Sequence, residues 1–209
     1  MKKYVLLLLV AFTTTVLYGQ DIDPKYLEGA VPLVDGKVVF EKAIKTQNKI
    51  SGKELYGLME KWAKEKYDRK DDKLKNRVLL TDPEKRHIAC QGADELLFSK
   101  TIISYDATIM HYQLILVISD NECKTTIKNI SFDYDYSNDG IVNVPAEEMI
   151  SDKNTLYDNG KKIVRYYRKF RINAVDRIDD IFESIDVYLN GKQTKGAVSK
   201  ASSGVDSDE

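Results

Sequence analysis

The pattern of hydrophobic and polar residues predicts an amphipathic helix in "ISGKELYGLMEKWAKEKY", residues 50–67. Its large apolar residues recur at helical spacing and form one face: Leu55, Leu58, Met59 and Trp62. Ser51 and Glu54 have the spacing of a capping box, so the helix should begin at this point. On such a face Trp62 is expected to be a core residue rather than a platform for a ligand.

A second apolar stripe predicts a long helix near the end of the chain. The residues that form the stripe are Ile163, Tyr167, Phe170, Ala174, Ile178, Ile181, Ile185 and Leu189. Asn190 and Gly191 are expected to stop this helix. Its first turns carry "KKIVRYYRKFR", residues 161–171, where we expect aromatic side chains to face inward and lysine and arginine outward. The alternative is that this segment binds nucleic acid or an anionic envelope surface.

Between the two helices, four extended runs predict an antiparallel meander: residues 77–81, 86–98 with a bulge at Gly92, 108–119 and 124–136. The connections "DPEK" and "SDNE" are short enough to be hairpin turns. Another strand, residues 37–44, is expected before the first helix. We expect Asp35-Gly36 to lead into this strand rather than to close a two-residue hairpin, because no clear strand precedes it.

Alternation along two meander strands predicts one buried and one partly open sheet face. The apolar rows are Met110, Tyr112, Leu114, Leu116 and Ile118, together with Ile130, Phe132, Tyr134 and Tyr136. The mixed row on the other face holds His111, Gln113, Ile115 and Val117, with Asn129 and Ser131 beside it. The order strand, helix, four strands, helix predicts an α+β fold in which both helices cover one face of an antiparallel sheet.

The start of the chain has the pattern of a secretory signal peptide, residues 1–20. Two lysines precede an apolar run from Tyr4 to Phe12, and small and polar residues follow. A membrane anchor is the alternative, but a span needs about 20 apolar residues and three threonines interrupt this run too early. No cysteine precedes Cys90, so no thiol near the cleavage point is available for a lipid. We therefore expect a soluble exported protein, periplasmic or secreted, that is neither lipidated nor membrane-spanning.

The remainder of the chain is expected to form one domain. Residues 21–30 are a lead-in, and residues 31–190 hold all the predicted strands and helices. Residues 191–209 lack large apolar side chains and are expected to be disordered. Without the leader, 30 basic and 33 acidic residues remain, a net charge near −3. The chain therefore lacks the excess of basic residues that nucleic-acid binding requires.

Several of these segments resemble a secreted bacterial family of unknown function whose fold is similar to that of the TATA-box-binding protein (TBP). The segments are "VPLVDGKVVFEKAI", "ELYGLMEKWAKE", "HIACQGADELLFS" and "YRKFRINAVDRIDDIFESI", and the resemblance covers about residues 31–189. It implies a TBP-like fold and export. It supplies no active site, and the kinship to a DNA-binding protein is one of fold alone.

The segment "DYSNDGIVNVPAEE" partly matches a calcium-binding loop. The residues at its first, third, fifth and sixth positions are Asp135, Ser137, Asp139 and Gly140. The twelfth position requires a bidentate glutamate, but Ala146 occupies it and Glu147 comes one residue late. A polar surface loop is the alternative to a calcium site built from Asp135, Ser137, Asp139 and Glu147.

The two cysteines, Cys90 and Cys123, fall on the second and fourth meander strands with one strand between them. Their separation of roughly 9–10 Å exceeds the reach of a disulfide, so two unpaired thiols are expected. His87 lies three residues from Cys90, which points the two side chains to opposite sheet faces. His111 has no cysteine or carboxylate at ligand spacing nearby, so zinc and histidine-assisted nucleophiles are disfavoured and no cofactor is expected.

These observations predict an exported, non-catalytic domain that binds an unidentified protein or envelope component through the open sheet face. The predicted contact residues are His111, Gln113, Ile115, Val117, Asn129 and Ser131. The alternative is a hydrolase with an atypical carboxylate site at Asp133, Asp135 or Asp139. A hydrolase should have a concave pocket with converging carboxylates, whereas a binding face should be shallow.

Overall fold

The computed structural model describes residues 22–69, 74–135 and 140–191. The predicted signal peptide and residues 192–209 of the predicted tail lie outside these ranges. The strands are β1 (Leu33–Val34), β2 (Lys37–Val38), β3 (Phe40–Lys45), β4 (Arg77–Asp82), β5 (His87–Lys100), β6 (Tyr105–Ser119), β7 (Glu122–Asp135), β8 (Ile141–Pro145), β9 (Leu156–Tyr157) and β10 (Lys162–Ile163). The helices are α1 (Gly52–Tyr67), α2 (Ala146–Met149), α3 (Asp152–Thr155) and α4 (Arg165–Asn190), and a 3₁₀ turn covers Pro24–Tyr26.

The main sheet is antiparallel and has the strand order β3-β7-β6-β5-β4. β3 and β8 share one edge of β7: β3 pairs with residues 122–127 and β8 with residues 131–135. The four predicted meander strands are confirmed as β4 to β7. The strand β8 was not predicted, because a five-residue segment that ends in a proline has little strand signal of its own.

Both long helices pack on the same face of this sheet. Tyr67 of α1 and Tyr112 of β6 share a hydrogen bond of 3.1 Å between their hydroxyl groups. The Tyr112 hydroxyl also donates to Asp94 of β5, and Asp94 in turn accepts from Arg177 of α4. A single tyrosine thus connects the two helices through one sheet face. The predicted α+β arrangement, with an antiparallel sheet and helices stacked on one side, is confirmed.

The start of α1 follows the predicted capping box. The Ser51 hydroxyl accepts from the Glu54 backbone N–H, and the Glu54 carboxylate accepts from the Ser51 backbone N–H. Leu55, Met59 and Trp62 are buried as expected. Leu58 is an exception, because it lies on the exposed side of the helix.

The start of α4 differs from the prediction in two ways. Ile163, which was assigned to the helical stripe, belongs to β10, and the helix begins at Arg165. The expectation that lysine and arginine face outward is wrong for Arg171, whose side chain is fully buried. The expectation that aromatic side chains face inward is wrong for Tyr166, which is exposed. Arg171 can be buried because main-chain carbonyls and a carboxylate surround its guanidinium group.

Asp35 and Gly36 do close a two-residue hairpin, contrary to the prediction. β1 and β2 pair with Val34 opposite Lys37, and both turn residues have positive φ angles, 51° and 76°. Asp and Gly tolerate this left-handed conformation, which is the one that two-residue hairpins favour. The strand β1 was not predicted, because it has only two residues and follows a proline.

The predicted bulge at Gly92 is also wrong, because Gly92 pairs in register with Tyr112. The irregularity in the pairing of β5 with β6 lies instead between Leu97 and Ser99. A Cβ atom on Gly92 would lie 2.2 Å from Cζ of Tyr112. The glycine therefore provides room for the tyrosine ring, which is the second common reason for a glycine inside a strand.

The two cysteines are buried and unpaired, as predicted. Cys90 lies opposite Leu114 and Cys123 opposite Ile118. The strand β6 therefore separates the two cysteines, which also lie four residues apart along it. Burial raises the pKa of Cys90 to about 12 and that of Cys123 to about 11. Both groups therefore stay as neutral thiols inside the core.

Candidate functional site

The six predicted contact residues lie on the sheet face that the helices leave uncovered. Along β6 the residues facing the helices are buried, while the alternate residues His111, Gln113, Ile115 and Val117 are partly exposed. Ile115 stands between Ala89 of β5 and Thr126 of β7. The predicted open face is therefore a shallow surface that crosses the central strands.

An irregularity at Asn129 changes which residues of β7 face outward. The pairing with β6 shifts between His111 and Gln113, and Asn129 takes a positive φ of 54°. Before this point the buried residues of β7 have odd numbers, and after it they have even numbers. The bulge thereby brings Asn129 beside Gln113, where its amide donates a 3.1 Å hydrogen bond to Gln113 Oε1.

A row of amide side chains crosses the open face at this level. Gln91 and Gln113 are direct cross-strand partners, and Gln91 Oε1 accepts a 2.8 Å hydrogen bond from Arg77. Each glutamine oxygen thus has a donor, from Arg77 or from Asn129. Within residues 22–69, 74–135 and 140–191, neither glutamine NH₂ group has a hydrogen-bond partner. The row offers hydrogen-bond donors next to the apolar side chains of Ala89 and Ile115.

One end of the face carries a histidine–carboxylate pair that the sequence analysis did not foresee. His111 Nε2 lies 2.6 Å from Asp133 Oδ2, and Asn143 of β8 donates to Asp133 Oδ1 at 2.6 Å. Sequence spacing gave no carboxylate partner for His111, because Asp133 is its diagonal neighbour on the adjacent strand rather than a neighbour in sequence. The predicted contact residue Ser131 joins this group by accepting from Asn143 at 3.1 Å.

Asp133 is held as an ionised acceptor. Partial burial raises the pKa of Asp133, but hydrogen bonds from Asn143 and His111 outweigh it and leave the pKa below its ordinary value. Both of its oxygens accept hydrogen bonds, so this carboxylate is already occupied. Of the other acids proposed for a hydrolase, Asp135 is exposed at the end of β7 and Asp139 lies outside the described residues.

The structure does not bring the described members of the calcium candidate together. Asp135 pairs with Ile141 at the start of β8, whereas Glu147 follows the end of that strand. The β7–β8 pair positions nearest to Asp135 and to Glu147 are four residues apart, which is about 13 Å along the strands. Glu147 is also engaged elsewhere, because its Oε1 accepts from the Val38 backbone N–H at 2.8 Å. Ser137 and Asp139 lie outside the described residues.

A pocket of about 270 Å³ opens on the helical side, between α1, α4 and the sheet. Its lining includes Trp62, Tyr67, Asp94, Tyr112 and Arg177. Arg177 binds Asp94 with two hydrogen bonds of 2.9 Å, and Tyr112 donates to the same carboxylate at 2.8 Å. Burial raises the pKa of Tyr112, so its hydroxyl remains a donor. The floor of the pocket is thus the ion pair of Arg177 with Asp94, and not the two converging carboxylates that a hydrolase would need.

Other functional groups are sparse in the part of the chain that the structure describes. It contains no group of three or more histidine, cysteine or acidic residues able to hold a metal ion. Its helices are all too short or too polar to cross a membrane. His87 lies on the open face opposite Val117, while Cys90 faces the core, as their spacing predicted.

Comparison with known proteins identifies the family. Residues 40–133 match the model of DUF4468, described as a domain of unknown function with TBP-like fold. The chain is 32% identical to a DUF4468 family protein from Bacteroides ovatus ATCC 8483, with a TM-score of 0.74 and coverage of 84% of this chain and 99% of that one.

A TBP-like protein from Parabacteroides distasonis ATCC 8503 has the same fold, with 24% identity, a TM-score of 0.62 and coverage of 76% and 96%. No curated protein matches the chain. The identity and coverage of the Bacteroides ovatus protein, together with the family-model match, show that this chain belongs to the DUF4468 family of proteins with a TBP-like fold.

Proposed function

We propose that this protein is an exported, non-catalytic binding module that holds a polypeptide partner on its open sheet face. The observation that carries the proposal is the pair of glutamine NH₂ groups on Gln91 and Gln113. Their oxygens are occupied by Arg77 and Asn129, so the donors remain for an outside acceptor. Donors on an open surface beside apolar side chains can exchange water for the carbonyl oxygens of a partner whose own side chains pack on that surface.

A polypeptide fits these requirements better than a charged polymer. The amide side chains themselves are uncharged. Of the two cations beside them, Arg77 already donates to Gln91, and Lys128 lies opposite Gln113 on β7. Ile115, Val117 and Ala89 offer shallow apolar contact beside the row, and His111 with Ser131 adds polar groups at one end. Backbone carbonyls of an extended segment would meet the amide donors while its side chains pack on the aliphatic residues.

The helical side gives less support for the alternative, a hydrolase. In its pocket Asp94 accepts two hydrogen bonds from Arg177 and one from Tyr112, so both carboxylate oxygens are already engaged by the protein. On the open face Asp133 is similarly engaged, with His111 and Asn143. Neither arrangement supplies the separated acid and base that carboxylate hydrolysis uses.

Export is part of the proposal and rests on the pattern of residues 1–20. Cell fractionation with mass spectrometry of the N-terminus tests it. We expect the chain outside the cytoplasm and beginning at Gln20 or Asp21, because cleavage is predicted after Gly19 or Gln20. A cytoplasmic chain that keeps Met1 would contradict it.

The binding claim can be tested by selecting random peptides on the processed protein. The test variant is Gln113→Glu with Ile115→Glu, which removes one amide donor and places two negative charges on the face. The matched control is Lys61→Glu on α1, an exposed position on the helical side. We expect selected peptides to lose at least about tenfold in affinity for the double variant and to keep it for the control. Peptides that bind the double variant as well as the native protein would refute the claim.

A further inference from the structure

The hairpin between β5 and β6 ends in two exposed isoleucines, Ile102 and Ile103, each at least 95% exposed. The strand pairing ends at Lys100 and Tyr105, and the Thr101 backbone N–H donates to the Ser104 carbonyl at 2.8 Å. The isoleucines therefore form the two-residue tip of the hairpin. Polar residues and glycine usually occupy such tips, so an adjacent aliphatic pair without any cover needs an explanation.

The tip projects beyond the body of the protein. At this end Lys169 of α4 forms an ion pair of 2.8 Å with Asp106 of β6. Ile103 is three strand residues further along, which is about 10 Å. The aliphatic pair is therefore the end of a narrow ridge. Such a ridge can insert into a lipid bilayer, but it offers a protein partner little contact area.

Basic side chains surround the base of this ridge. Lys100 lies on β5 directly before the tip, and Arg165 and Arg168 lie on the first turn of α4, next to Lys169. Among the described residues none of these three forms an ion pair, and all three are exposed. The nearby acid Asp106 is paired with Lys169, whereas Glu95 accepts from the Tyr105 hydroxyl, which is neutral and brings no compensating charge.

Among the described residues, the other acid at this end is Asp135, at the end of β7. When Glu95 and Asp135 are counted against Lys100, Arg165 and Arg168, one positive charge remains among the described residues around the tip, although the predicted processed chain has a net charge near −3. Local positive charge around an aliphatic tip is the combination that binds an anionic bilayer surface.

We propose that the β5–β6 hairpin docks the protein on an anionic lipid bilayer. Ile102 and Ile103 enter the boundary between headgroups and acyl chains, while Lys100, Arg165 and Arg168 lie against the phosphates. This surface is separate from the amide row, because Gln113 is ten positions further along the chain than Ile103, which is roughly 30 Å along a strand. The protein can therefore sit on a membrane with its open sheet face still accessible.

Sedimentation of the processed protein with vesicles tests the proposal. One set of vesicles contains phosphatidylglycerol and phosphatidylethanolamine, and the other contains phosphatidylcholine alone. We expect binding to the first set, and weaker binding as salt is raised. The variant Ile102→Ser with Ile103→Ser should lower the partition coefficient by at least about tenfold, because the loss of buried apolar area removes the insertion.

Two further variants separate the contributions. Arg165→Gln with Arg168→Gln should weaken binding to the anionic vesicles by about fivefold for each charge removed. Leu33→Ser with Val34→Ser, an adjacent apolar pair about half exposed on β1, is the matched control and should bind as the native protein does. Circular dichroism confirms that each variant is folded, which is expected because every substituted side chain is exposed.

Three outcomes would overturn the proposal: no binding of the native protein to the anionic vesicles, equal binding by the tip variant, or a photo-cross-linker at Ile103 that labels protein and no lipid. The peptide-binding variant Gln113→Glu with Ile115→Glu should keep its vesicle binding. A failure of the open-face proposal is thus distinguishable from a failure of this one.

Discussion

Arg177 on α4 and Asp94 on β5 form a salt bridge with two parallel hydrogen bonds, each 2.9 Å long, across the interface between helix and sheet. Asp94 also accepts from Tyr112, so removing the arginine would leave a largely buried carboxylate with one neutral donor. The pair fixes α4 at the middle of the sheet, where no other charged contact between the two is found among the described residues.

Loss of this pair should destabilise the protein. We expect Arg177→Met to lower the free energy of unfolding by about 2 kcal/mol, less than for a fully buried pair because the Arg177 side chain is 38% exposed. Urea denaturation measures the change. The control Arg168→Met, an exposed arginine on the same helix, should stay within about 0.5 kcal/mol of the native protein. Equal stability of both variants would contradict the role of the pair.

Two glycine substitutions should change stability in opposite directions. Gly92→Ala places a Cβ 2.2 Å from the Tyr112 ring and should cost about 1–3 kcal/mol. Gly57→Ala lies on the exposed side of α1 with no atom within 4 Å of the new Cβ, and should stabilise by about 0.5–1 kcal/mol. Thermal or urea unfolding compares them. A neutral Gly92→Ala would mean that Tyr112 does not pack where the structure places it.

The buried Arg171 should anchor the N-terminal segment. Its guanidinium donates to the carbonyls of Tyr26 and Leu27 and to the carboxylate of Asp152, at 2.6–2.7 Å. Arg171→Lys keeps the charge but removes the planar guanidinium group with its several N–H donors. We therefore expect the free energy of unfolding to fall by about 3 kcal/mol. Hydrogen exchange should also accelerate in residues 24–30.

Arg168→Lys is the matched control for Arg171→Lys, because this exposed side chain has no buried partner in the described ranges. It should change neither the stability nor the exchange of residues 24–30. If Arg171→Lys leaves that exchange unchanged as well, the anchor role is wrong.

The buried thiols should make the protein less stable at alkaline pH. Both pKa values are raised by burial, from 9.0 to about 12 for Cys90 and about 11 for Cys123, so the folded protein keeps protons that the unfolded chain releases. The resulting stabilisation is fully present below pH 9 and is lost as pH rises from there toward 11–12. Buried tyrosines with raised pKa values, such as Tyr112, add to the loss.

Unfolding by urea at several pH values measures this effect, and Cys123→Ala should reduce the slope. At pH 8 a thiol reagent should modify both cysteines only after unfolding. Rapid labelling of the folded protein, or an unreduced mass that indicates a disulfide, would contradict the assignment.

Local patterns predicted the features that depend on neighbouring residues. The capping box of Ser51 and Glu54 correctly places the start of α1, and alternation along β6 correctly separates Tyr112 from Gln113. The open face follows directly from that alternation, because an antiparallel sheet with helices on one side leaves its other side uncovered.

The features that the sequence analysis missed depend on contacts between distant residues. Arg171 looks like a surface arginine in its helix, and only the carbonyls of Tyr26 and Leu27, about 145 residues earlier, make its burial possible. The pairing of His111 with Asp133 requires the register of two strands and the bulge at Asn129. A bulge of this kind leaves no reliable mark in a single sequence, so the amide row could be predicted only in part.

The most direct test of the account is a comparison of three photo-cross-linking positions in the protein as its own cells produce it. Ala89 lies on the open face beside Ile115, Ser184 lines the helical pocket, and Lys61 is exposed on α1. We predict a discrete polypeptide adduct at Ala89 that disappears when Gln113→Glu and Ile115→Glu are added, and no adduct at the other two positions. An adduct at Ser184 instead, or an adduct at Ala89 that survives the double substitution, would contradict the claim that the open sheet face is the binding surface.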